Sequence, residues 1–63
     1  MENTVYHKIQ KIAQTKDQDD IRDVKIIIGK YRVMALKYYG VVRRFIFKQA
    51  DEIEKELERV ILE

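Results

Sequence analysis

Twelve apolar residues follow one another in steps of three and four without a miss: Ile21, Val24, Ile28, Tyr31, Ala35, Tyr38, Val42, Ile46, Ala50, Ile53, Leu57 and Val60. Steps of that size keep side chains on one face of an α-helix, whereas a half-buried strand would alternate every second residue. The chain has no proline to interrupt a helix and only two glycines. An all-α fold is therefore expected across a single domain, residues 1–63. The stripe reads as a core face rather than as a cofactor or lipid site.

A shorter segment precedes it. Val5, Ile9, Ile12 and Ala13 share one helical face, and Asn3 or Thr4 could cap its start. Residues 14–20 then contain no apolar side chain, and Asp17, Asp19 and Asp20 suit an N-cap and a first turn, where free amides and the helix dipole favour carboxylates. Ile12 and Ile21 are nine positions apart, which on one continuous helix would point them to opposite sides at ~100° per residue. That phase break places a turn at 15–20. Glycine is also the usual residue just past a helix end, so a turn at 29–31 or near Gly40 remains open. Otherwise the two glycines mark a close approach of helices.

The centre of the chain is apolar on a second side as well, through Ile26, Ile27, Val33, Leu36, Val41 and Phe47. A helix apolar on two sides is buried on two sides. Sixty-three residues without cysteine cannot gain stability from a disulfide. Association supplies the missing burial, so the expected fold is a helical hairpin that dimerises into an antiparallel four-helix bundle. Its dimer core is Val24, Ile28, Tyr31, Ala35, Tyr38, Val42, Ile46, Ile53 and Leu57.

Charge points the same way. Residues 22–48 carry eight cations against Asp23 alone, and residues 49–63 carry six carboxylates against Lys55 and Arg59. Read as one long helix, basic first and acidic last, this segment complements an antiparallel copy of itself. Pairing centred near residue 41 brings Lys30 level with Glu52.

Chemical sites are scarce. His7 is the only histidine, and the chain has no serine or cysteine, so no nucleophile–base pair can be assembled with serine or thiol. The three aspartates lack the glycine and closing glutamate of a calcium loop. Asp51, Glu54 and Glu58 share a helical face without a histidine partner and read as solvated. No catalytic residue, metal or cofactor is expected, and the protein is read as a non-enzyme. Lys37, Arg43, Arg44 and Lys48 mix with Tyr38, Tyr39, Phe45 and Phe47, a combination that can hold nucleic acid by phosphate contact and stacking. That reading is the alternative to a symmetric adaptor or regulator binding an unidentified protein partner. A membrane-surface role is disfavoured because the apolar face runs on into the core stripe. No apolar run is long enough to span a bilayer, and the first residues lack a secretory pattern, so an intracellular protein is expected. Abundant ion-pairing residues without cysteine also suit a hot environment.

Length, Lys/Glu/Ile-rich composition and the segments Val24-Lys25-Ile26-Ile27-Ile28-Gly29-Lys30-Tyr31 and Leu36-Lys37-Tyr38-Tyr39-Gly40 resemble the small helix-turn-helix hairpin proteins of spindle-shaped archaeal viruses. The resemblance implies a rod-shaped antiparallel four-helix-bundle dimer, a non-enzymatic adaptor role in the host cytoplasm, and no active-site residues.

Overall fold

The computed structural model describes residues 4–62. They form three helices, α1 (Thr4–Thr15), α2 (Gln18–Ala35) and α3 (Gly40–Leu62), with no strand among the described residues. Each helix packs against the other two. The all-α expectation holds, but the chain folds back twice rather than once.

The first turn falls inside the expected window and is shorter than the polar run around it. Lys16 takes a left-handed conformation (φ 53°) and its amide donates to Ile12 O at 2.8 Å, closing α1. Asp17 is the N-cap of α2, its carboxylate accepting from the amides of Asp19 at 2.8 Å and Asp20 at 3.4 Å. Of the two capping candidates for α1, Thr4 is its first residue and Asn3 lies outside the described residues.

The second turn breaks the long stripe at Leu36–Tyr39, so Ile21 to Val60 is not one helix. Three amides tighten the end of α2 with bonds three residues back: Leu36 to Val33 O, Lys37 to Met34 O and Tyr38 to Ala35 O, at 3.0–3.1 Å. Gly40 then opens α3 with φ 60°, a conformation that disfavours any residue with a Cβ. Arg43, in the first turn of α3, reaches back over the turn. Its guanidinium donates to Tyr38 O at 3.0 Å and Leu36 O at 3.2 Å, carbonyls of the turn, and also to Ala35 O at 3.4 Å, which already accepts from the Tyr38 amide. Gly29 lies inside α2, so there is no turn at 29–31.

The core is the expected stripe in part. Ile9 and Ile12 of α1, Ile21, Val24 and Ile28 of α2, and Ala50, Ile53, Leu57 and Val60 of α3 form one buried cluster. Ala13, expected on the inner face of α1, is exposed. Polar contacts fix how the helices lie. Lys8–Asp23 and Lys11–Asp20, both at 3.6 Å, hold α1 antiparallel to α2. Lys16 Nζ donates to Val60 O near the end of α3. Arg32 donates to Asp51 at 3.0 Å and Glu54 at 2.7 Å.

That last contact corrects the reading of the charge pattern. Once the chain turns at 36–39, the basic α2 lies beside the acidic half of α3 in the same molecule. The register is close to the one expected between two chains, so the complementarity is satisfied within one. Asp51 and Glu54 keep much of their exposure, as expected of a solvated face, and in addition accept from Arg32.

Candidate functional site

Helix lengths decide which surface is left open. At ~1.5 Å per residue, α1 spans about 18 Å and α3 about 35 Å, so α1 covers only half of the hairpin that α2 and α3 make. Val5, in the first turn of α1, and Tyr31 pack against the edge of the core. Among the described residues no third helix lies on the hairpin beyond that point, and the buried cluster stops at Ile28 and Ala50.

The far end of the hairpin is apolar and exposed. Val33, Leu36, Tyr39, Val41 and Phe45 are each at least 60% exposed, and Met34, Tyr38 and Val42 between 40% and 50%. Most soluble monomers keep contiguous apolar patches to a few hundred Å². Part of this surface is a groove of about 320 Å³ lined by Tyr31, Met34, Phe45, Ile46 and Gln49. It begins beside the first turn of α1. Val42, one helical turn before Ile46, continues it toward the turn.

The expected dimer core divides accordingly. Val24, Ile28, Ala35, Ile53 and Leu57 are buried inside their own chain and offer nothing to a second one. Tyr31 and Ile46 are half-buried at the groove, and Tyr38 and Val42 are exposed. Of the second apolar side, Ile27 and Phe47 are half-buried, whereas Ile26, Val33, Leu36 and Val41 face solvent rather than two further helices. Met34 and Gln49 belong to the groove and escaped the sequence reading, because they sit off both stripes. Their i±3 neighbours Tyr31 and Ile46 would have pointed to them once the end of α1 was known.

The basic candidates divide too. Lys37, Arg44 and Lys48 are exposed, the last two one turn apart on α3. Arg43 is not available in the same way: it caps α2, and its guanidinium carbon lies 5.7 Å from the centroid of the Tyr39 ring. No carboxylate occurs between Asp23 and Asp51, so the hairpin end is cationic throughout.

Two groups have shifted pKa values. Hydrogen bonds to Glu54 and then Asp51 raise that of Arg32, holding its charge. The hydrogen bond from Arg59 holds the Glu56 carboxyl below its ordinary range. His7 is exposed. Among the described residues no three His, Cys, Asp or Glu side chains converge as a metal site would require, and no helix is long and apolar enough to cross a membrane.

Comparison with known proteins finds no matching family model, no matching curated protein and no matching solved structure.

Proposed function

We propose that this chain is a non-enzymatic adaptor or regulator that works as a two-fold symmetric helical homodimer. The observation that carries the reading is the apolar groove left open beyond α1. Two hairpin ends laid face to face and antiparallel would cover each other's Tyr31, Met34, Val42, Phe45 and Ile46. Four helices then form an antiparallel bundle at the centre, and α1 of each chain lies toward an outer end.

Scale supports it. A full aromatic side chain presents about 150–250 Å², so these half-exposed residues offer on the order of 500 Å². With a polar rim that approaches the ~800 Å² per partner of a stable interface. The resemblance to viral hairpin proteins implies the same adaptor class.

Sedimentation equilibrium across a range of chain concentrations tests the dimer. Val42→Asp places a charge in the groove without touching the buried cluster, so it should give a helical, folded monomer. Spin labels at position 22 should lie far apart, toward opposite ends of the rod. A wild-type chain that stays monomeric at micromolar concentration, or labels close together, sinks the arrangement.

The alternative, a nucleic-acid-binding hairpin dimer, rests on Lys37, Arg44 and Lys48, with Arg43 already engaged by backbone carbonyls. It requires affinity for duplex DNA or RNA that falls steeply with salt and is weakened by Arg44→Ala with Lys48→Ala.

A further inference from the structure

Leu36, Tyr39 and Val41 are 60%, 83% and 71% exposed and stand at the convex end of the molecule. None of them lines the groove assigned to the second copy. Lys37 lies between them in sequence, and Arg44 and Lys48 follow on α3, all exposed and without an ion pair among the described residues. The acidic residues of α3 lie toward the other end of a body 38 Å long. One end of the molecule is thus cationic and apolar together, and the opposite end carries the carboxylates mixed with cations such as Lys8, Lys11, Arg22 and Arg59 that pair with them.

Three kinds of surface could meet such an end. A second copy is assigned to the groove, which Leu36, Tyr39 and Val41 do not line. A nucleic acid would satisfy Lys37, Arg44 and Lys48 but give Leu36 and Val41 nothing. An anionic bilayer answers both halves: its headgroups attract the cations, and its headgroup–acyl boundary takes up aliphatic and aromatic tips. The sequence argument against a membrane surface was that the apolar face runs on into the core. The turn at Leu36–Tyr39 removes that continuity, because the residues at the turn are outside the core.

We propose that the Leu36–Val41 turn docks onto anionic lipid bilayers. Leu36, Tyr39 and Val41 enter the headgroup region, and Lys37, Arg44 and Lys48 meet the anionic headgroups. The charge separation along the molecule orients it turn-first. The contact is interfacial and reversible, made by a convex tip rather than a spanning helix. It goes beyond the adaptor reading and is made for the free chain, because in the proposed dimer each turn lies against the start of the partner's α1.

The test is flotation of the full chain with phosphatidylcholine vesicles, with and without a one-third share of phosphatidylglycerol, at low and high salt. Binding is expected to the anionic vesicles at low salt and not to phosphatidylcholine alone. Each cation near such a surface contributes about fivefold, so Lys37→Gln/Arg44→Gln/Lys48→Gln together should lose roughly a hundredfold in partitioning. Tyr39→Ser/Val41→Ser keeps every charge and should lose about tenfold. All of these positions are exposed, and circular dichroism verifies that the variants stay helical. Val42→Asp separates this inference from the dimer: the monomer should still bind anionic vesicles, weakened about fivefold by the carboxylate added beside Val41. No binding to anionic vesicles, or an apolar variant that binds them as well as the wild type, overturns the proposal. Duplex DNA or RNA that displaces the protein from vesicles while the apolar variant keeps full affinity for the duplex would reassign the basic end to nucleic acid.

Discussion

The two glycines should respond to the same substitution with opposite sign. Gly29 lies inside α2, and a Cβ built there meets nothing within 4 Å. Alanine is about 0.8–1 kcal/mol better than glycine in a helix interior, so Gly29→Ala should stabilise the chain by that amount. Gly40 is equally open, with nothing within 4 Å of its Cβ, but it sits at φ +60°. An L side chain in that left-handed region costs roughly 1–2 kcal/mol, so Gly40→Ala should destabilise by about that much with no clash involved. For a domain of this size 1 kcal/mol moves the midpoint by about 4–8 °C. The two variants should therefore melt on either side of the wild type, separated by roughly 8–20 °C. Thermal and urea unfolding by circular dichroism would measure this, at one fixed chain concentration because association also moves the midpoint. A chain that turned at 29–31 would reverse the pattern, with Gly29 needing the left-handed conformation and Gly40 inside a helix. A destabilising Gly29→Ala together with a neutral or stabilising Gly40→Ala would refute the position of the second turn.

Other consequences are local. Arg43→Met removes the donor to three carbonyls at the end of α2, which water can partly replace; a loss of about 1–2 kcal/mol in urea unfolding is expected. Asp17→Ala removes the N-cap of α2 and should cost about 1 kcal/mol, whereas Asp17→Asn should cost far less, as read from the same unfolding curves. The Glu56 carboxyl is held below its ordinary value of 4.5 by Arg59, so its contribution is present above the unfolded-state pKa and disappears as pH falls through the folded one. Glu56→Gln should lower stability slightly at neutral pH and converge on the wild type in acid, which flattens the limb below about 4.5. An acid limb identical to the wild type would argue against that contact in solution.

The sequence determined what is local. Helical periodicity, the polar run, the phase break between Ile12 and Ile21 and a capping aspartate together placed the first turn, because each is set by neighbours within a few residues. It also identified most of the core, since Val24, Ile28, Ile53 and Leu57 are buried whichever chain covers them. Gly40 marked one of the breaks the sequence offered, and tertiary structure selected it over 29–31. Ala35, Tyr38 and Val42 keep steps of three and four straight through Leu36–Tyr39, because a period records which side of the chain is apolar and not whether the axis bends. The same limit hid the partner of the basic segment: a register between α2 and α3 charges reads alike within and between chains, since Coulomb attraction depends on distance and not on connectivity. Which apolar residues stay exposed was settled last, by the length of α1. A helix of 12 residues cannot cover one of 23, and the uncovered part of the hairpin carries both the groove and the cationic tip.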